Sequence, residues 1–320
     1  MKSILAFDIG GTKTAAGLVN DLGQILERVE ALTPAARGAE AILEQAYALG
    51  RQLLAAHPAI QLYAVGAASA GQIDAHTGRV KYATPNLPGW SGLELAQRLH
   101  ATFRVPAVCD NDVNAMALAE LSMGAGQGLK ELLCVMVGTG IGGAVVSDGR
   151  VMRGNGGVGE IGHITLDSFH GRRCNCGGIG CLETYASSRA LLIALQTAIP
   201  EPELQAWAGK PSPALTITDL AELFTREPSD TWRAFQALVY SHGRYLGQGL
   251  ASAANLLNPE RIVIGGSIQA FGEQYLRWVT NEFSQRCLPA TRATEIVYSQ
   301  LGQDAALLGI ARLAWSRAHP

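Results

Sequence analysis

Apolar positions along this chain fall into short runs broken by glycine, and these alternate with longer stretches at helical spacing. Residues 3–9 form one run, which passes Asp8 and breaks at Gly10-Gly11-Thr12; a second alternating run follows over 13–19. Strand, glycine turn, strand predicts a β-hairpin, and a third strand is expected near Ile25. Ala, Ile and Leu recur at helical spacing over residues 39–56, and 63–68 reads as another strand leading into a loop over 69–74. The hairpin pattern returns at 132–146, where an apolar run precedes Gly138-Thr139-Gly140-Ile141-Gly142-Gly143 and another run follows. Two such hairpins about half a chain apart predict a duplicated architecture in which each half offers one phosphate-gripping turn.

Between the hairpins, the Ala-rich stretch 114–121 is expected to be a helix carrying the chain toward a second domain, with the hinge near it. Residues 187–257 read as mostly helical, with a surface loop at the Pro-rich 200–213. A late strand and turn follow at 261–267, and a last helix begins around Asp304 and packs back on the first domain. Strands alternating with helices place the chain in the α/β class. The expected domains are 1–117, joined by 304–320, and 118–303.

Composition narrows the partners. A chain of 320 residues with 48% apolar content fills two ordinary cores. A net charge of −2, with Lys and Arg scattered, offers no basic stripe for nucleic acid. No apolar run approaches the roughly 20 residues a membrane-spanning helix needs, and the chain start is neither a secretory nor a transit segment, so a cytoplasmic location is expected. Six cysteines are too few for a disulfide scaffold, and three crowd into Cys174-Asn175-Cys176-Gly177-Gly178-Ile179-Gly180-Cys181, which in a reducing compartment points to metal.

Glycine allows backbone amides to approach and face phosphate oxygens, which suits both hairpin turns. Asp8 beside the first turn is a poor neighbour for phosphate unless a cation lies between them, and magnesium supplies one. Gly138-Thr139-Gly140-Ile141-Gly142-Gly143 formally matches a dinucleotide fingerprint, but a strand follows where a helix is required. No P-loop motif is present. At Cys109-Asp110-Asn111-Asp112-Val113-Asn114 an apolar stretch gives way to a helix, and Asp112 or Asp110 is placed to accept a hydroxyl proton or to cap the helix. His163, in Gly159-Glu160-Ile161-Gly162-His163, makes a fourth ligand with Cys174, Cys176 and Cys181, the donor set of a closed tetrahedral zinc site. Such a site would fix Glu160 and Glu183, carboxylates suited to gripping sugar hydroxyls. Cys109, Cys134 and Cys287 read as small core residues.

Together these motifs resemble the ROK family of kinases and repressors over nearly the whole chain. Asp8-Ile9-Gly10-Gly11-Thr12-Lys13 resembles its first phosphate turn, Gly138-Thr139-Gly140 its second, and Gly265-Gly266 its adenosine-side turn. The stretch 159–163 with 174–183 resembles its signature. The resemblance implies an RNase H-like, actin-type fold of two domains, with ATP and Mg2+ in an interdomain cleft and a structural Zn2+. It also implies a hexose kinase in which Asp112 is the base and Asn111, Glu160, His163 and Glu183 contact the sugar, leaving Asp110 a bystander. Gly71-Gln72-Ile73-Asp74 through Thr84-Pro85-Asn86 resembles the sugar loop of the small domain, although Ala70 stands where many members carry proline. Glucose is the expected acceptor, with N-acetylmannosamine, N-acetylglucosamine, fructose or a β-glucoside as alternatives, and members are commonly dimers or larger. A sugar-responsive repressor is the rival, disfavoured because the first phosphate strand starts at residue 3.

Overall fold

The computed structural model describes residues 2–318. The chain divides into two compact units. The first runs to Lys130, takes in Ala144–Val158 and resumes from Ser299; the second holds Glu131–Gly143 and Gly159–Tyr298.

The first unit contains β1 (Lys2–Ile9), β2 (Lys13–Asn20), β3 (Ile25–Leu32), α1 (Ala39–Ala56), β4 (Gln61–Ser69), β5 (Gln72–Asp74), β6 (Arg79–Tyr82), α2 (Leu95–Phe103), β7 (Ala107–Asn111) and α3 (Asp112–Met123). Its sheet has the order β3-β2-β1-β4-β7, with β1 antiparallel to β2 and parallel to β4. The apolar run of β1 is buried on both faces. Leu5, Phe7 and Ile9 point into a core with Ile42, Leu43 and Leu53 of α1. Ile4 and Ala6 point the other way, toward Ala115 and Ala119 of α3 and Leu307 and Ile310 of the last helix. Strand period two thus feeds two cores from one strand. Each fully buried Leu, Ile or Phe contributes about 1.5–3 kcal/mol, which fixes the register.

The second sheet has the order β10-β9-β8-β11-β12, from β8 (Leu132–Val137), β9 (Ile141–Ser147), β10 (Arg150–Val151), β11 (Arg261–Gly265) and β12 (Glu295–Tyr298). In both sheets three successive strands are followed by two reached through crossovers. β11 runs parallel to β8 and β12. The second unit adds α4 (Glu183–Ala186), α5 (Ser188–Ala198), α6 (Glu201–Ala208), α7 (Ile217–Phe224), α8 (Asp230–Leu257) and α9 (Gly272–Arg286). Ser187, Thr216 and Ser229 cap α5, α7 and α8 by accepting backbone N–H bonds.

Three expectations change. The segment 200–213, expected as a loop, contains α6, because a proline in the first turn sacrifices no helical hydrogen bond. The expected loop 69–74 holds β5, which pairs antiparallel with β6. A division at residue 117 would cut α3, whose Ala115 and Ala119 pack on α10 (Ala305–Ala318) inside the first unit. A side chain on Gly309 would collide with the Ala115 carbonyl, so the two helices meet at backbone distance. The last helix begins next to Asp304 and packs on β1, β4 and α3; residues 319 and 320 of the expected helix lie outside the described residues. No described helix is long and apolar enough to cross a membrane.

Candidate active site

The first glycine turn closes β1 onto β2, with the Gly10 amide donating to the Lys13 carbonyl at 3.0 Å. Thr33, a residue the motif reading missed, pins it: its hydroxyl donates to the Gly10 carbonyl at 2.7 Å and its amide to the Thr12 carbonyl at 2.9 Å. Thr12 and Lys13 are exposed, and the Lys13 ammonium lies 2.8 Å from Glu30. A side chain at Gly11 would touch Asn86 at 3.4 Å, so the turn and the Thr84–Asn86 loop are neighbours. Asp8 is half-buried on β1. Burial, and the negative charge of nearby Asp112, push its carboxyl up to about 7 against the pull of the Arg28 guanidinium. A carboxyl so placed gains from a divalent cation, which would restore its charge.

β7 delivers Asp110, Asn111 and Asp112 to the start of α3. Asn111 is the N-cap: its Oδ1 accepts from the amides of Val113 at 2.9 Å and Asn114 at 3.1 Å, while its Nδ2 donates to the Gly71 carbonyl at 3.0 Å. One side chain therefore ends the strand, starts the helix and ties down the Gly71 loop. Gly71 has φ +104°, and any side chain there would meet the Tyr82 carbonyl at 2.5 Å. Asp112 is the first helical residue, half-buried, and its Oδ1 accepts from the Val113 amide at 3.0 Å. Asp110 is fully buried and accepts both Nε and Nη2 of Arg153, at 2.9 and 2.6 Å. It is a structural ion-pair partner, and Arg153 is a second residue the sequence reading missed.

In the second unit, the turn Gly138-Thr139-Gly140 joins β8 to β9, closed by the Gly138 amide on the Gly140 carbonyl at 2.9 Å. Glu183, expected only as a sugar ligand, sits against this turn. Its Oε2 accepts from the Ile141 amide at 2.9 Å, and a side chain at Gly140 would collide with that carboxylate. Gly266, at φ +92° after Gly265 ends β11, backs onto the Val137 carbonyl. Glu160 is exposed and precedes the short 3-10 turn Ile161–His163, whose Gly162 abuts the Ile141 carbonyl.

His163, Cys174, Cys176 and Cys181 come together with their ligand atoms all within 4.8 Å of one another. Cys176 Sγ and Cys181 Sγ are 3.7 Å apart, and His163 Nδ1 is 3.8 Å from Cys174 Sγ. A tetrahedral zinc with Zn–S bonds of about 2.3 Å needs sulfurs about 3.8 Å apart, so the cluster fits. Burial raises the thiols of Cys174 and Cys181, the latter to about 12, while the Gly178 amide lowers that of exposed Cys176. Three neighbouring thiols in this state call for a cation to ionise them together. Cys109, Cys134 and Cys287 are buried in the cores, as expected.

The sequence profile of the ROK family matches residues 4–317. The chain belongs to the ROK family. It is 35% identical over 309 residues to the glucokinase of Halalkalibacterium halodurans, covering 94% of this chain and 92% of that protein. It is 33% identical over 313 residues to the N-acetylmannosamine kinase of Shigella flexneri, covering 98% of each. A crystallised ROK family glucokinase from Streptomyces griseus, in complex with glucose and AMPPNP, matches at TM-score 0.87 and 32% identity over 98% of this chain and 99% of that one. The ROK resemblance and the actin-like, two-domain fold class are thereby borne out.

Proposed function

We propose that this ROK protein is an ATP-dependent hexose kinase that phosphorylates the 6-hydroxyl of glucose. The observation that carries this reading is its near full-length likeness to a glucokinase holding glucose and an ATP analogue, with the motif residues built into the turns and the helix start described above.

In this reading Asp112 accepts the proton of the 6-hydroxyl as that oxygen attacks the γ-phosphorus and the bond to the β-phosphate oxygen breaks. The start of α3 suits a base held in place, since the Val113 amide fixes one carboxylate oxygen. Gly10 and Gly138 close the two turns with their own amides, backbone amides of Gly11, Thr12, Thr139 and Gly140 hold phosphate oxygens, and Gly265 and Gly266 admit the adenosine. Magnesium near Asp8, held through water, would neutralise charge on the transferred group. Gly71, Thr84, Asn86, Asn111, Glu160, His163 and Glu183 contact the sugar. Glu183 keeps Oε1 for a hydroxyl while Oε2 holds the Ile141 amide. With His163 Nδ1 turned to the cysteines, its other nitrogen carries the proton and donates to the sugar. His163, Cys174, Cys176 and Cys181 would hold a zinc whose four protein ligands leave no open position, so its contribution is loop order.

ATP consumption over glucose, mannose, fructose, N-acetylglucosamine and N-acetylmannosamine tests the reading. Glucose is expected to give the highest kcat/KM. Preference for N-acetylmannosamine would move the assignment to that branch, and no turnover with any sugar would end the kinase reading. Glu160→Ala removes a charged acceptor worth about 1.5–3 kcal/mol. It is expected to raise the glucose KM by roughly 10- to 100-fold while leaving that for ATP within about twofold. The opposite pattern in steady-state kinetics would place Glu160 on the nucleotide side.

A further inference from the structure

The loop Met152–Val158, which follows β10 in the first unit, carries a cation that no catalytic role uses. Arg153 grips fully buried Asp110 with two hydrogen bonds, from Nε and Nη2, that converge on one oxygen, Oδ2. The other oxygen of Asp110 accepts from the Asn111 amide at 2.9 Å and from Asn114 Nδ2 at 3.0 Å. The carboxylate therefore has one face on the arginine fork and the other on the first turn of α3, where Asp112 stands. A carboxylate can only accept, so it fixes the Asn114 amide with its NH2 toward Asp110. Asn114 Oδ1 is left buried without a donor among the described residues, and Asn114 itself is 8% exposed.

The same loop reaches the sugar side of the unit. Lys81 of β6 donates to the Asn155 carbonyl and to Asn155 Oδ1, both at 3.2 Å, and a side chain at Gly157 would meet Gln72 of β5 at 2.8 Å. Asn111 closes the circuit through its bond to the Gly71 carbonyl. The base helix, the Gly71 loop and the loop Met152–Val158 are thus braced in a ring whose one buried ion pair is Arg153–Asp110.

We propose that Arg153 is a positioning residue for phosphoryl transfer, acting through Asp110 to set the first turn of α3 and with it the carboxylate of Asp112. This rests on the assignment of Asp112 as base. The fork supplies direction as well as charge, because Nε and Nη2 converge on Oδ2 from one rigid guanidinium. Lysine keeps the charge and loses the rigid two-donor fork, so charge and geometry separate experimentally. A small misplacement of a reacting group costs far more in rate than in affinity.

The test compares wild type, Arg153→Lys, Arg153→Gln and Asp112→Asn for kcat, for the KM of ATP, for glucose Kd by calorimetry and for Tm. Arg153→Lys is expected to retain Tm within about 3 °C and glucose Kd within about twofold, and to lose roughly tenfold or more in kcat. Arg153→Gln is expected to lose kcat further and Tm as well, since it leaves the buried carboxylate unpaired. Wild-type kcat in Arg153→Lys, or a loss matched by an equal loss of glucose affinity, overturns the proposal. If Asp112→Asn is inactive while Arg153→Lys turns over normally, only the Arg153 proposal falls; if Asp112→Asn turns over normally, the base assignment falls and this proposal with it.

Discussion

Asp112→Asn is expected to lower kcat by about 10²- to 10⁴-fold, the range general-base catalysis commonly supplies, while glucose still binds within about twofold. The structure explains why the variant should fold. Asparagine at the first position of α3 keeps an oxygen for the Val113 amide, and the cap made by Asn111 is untouched. The cost to stability is the charge on the helix N-terminus, about 0.3–1 kcal/mol. Burial raises the Asp8 carboxyl most, and the substitution removes the second cause, the negative charge of Asp112. Single-turnover phosphorylation with glucose and ATP, beside calorimetric glucose binding, makes the comparison. Turnover near wild type would transfer the role of base to another group.

The second large effect is expected at the cysteine cluster. The segment between His163 and Cys181 has few buried apolar side chains and is shaped by backbone bonds, such as Cys174 amide to Gly178 carbonyl at 2.9 Å and Leu166 amide to Gly180 carbonyl at 2.8 Å. Such a loop lacks the packing to hold its own conformation, so a bound zinc would contribute directly to its folding. Cys176→Ser is expected to abolish stoichiometric zinc and raise the glucose KM by on the order of tenfold or more, with a smaller effect on ATP. Metal analysis of the purified wild-type chain comes first. Absence of zinc there, or an unaltered glucose KM in a zinc-free Cys176→Ser, would remove the metal from the account.

What the sequence disclosed was mostly local. Both hairpins could be read because a glycine turn between apolar runs leaves the backbone few alternatives; Asp8 and the pair Asp110 and Asp112 stood out because each sits where a strand ends, and the choice of Asp112 came from the ROK resemblance. The clustering of His163 with Cys174, Cys176 and Cys181 was legible from residue type and spacing. What escaped depends on distance along the chain. Arg153 is 43 residues from Asp110, and nothing near either residue announces the pair. Thr33 reaches back 23 residues to Gly10. Glu183 was legible as an acid beside the cysteines, but its bond to Ile141 spans 42 residues, which hid its place against the second turn. The helix over Glu201–Ala208 was lost to its prolines, whose effect depends on whether they fall in a first turn or an interior one.

His163 gives the molecule a thermodynamic consequence. If a single imidazole serves a metal through one nitrogen and a carbohydrate through the other, the two occupants are linked, and each must alter the retention of the other by the same factor. Where that coupling is favourable, bound hexose would slow the loss of the metal, and loss of the metal would weaken hexose binding to the same degree.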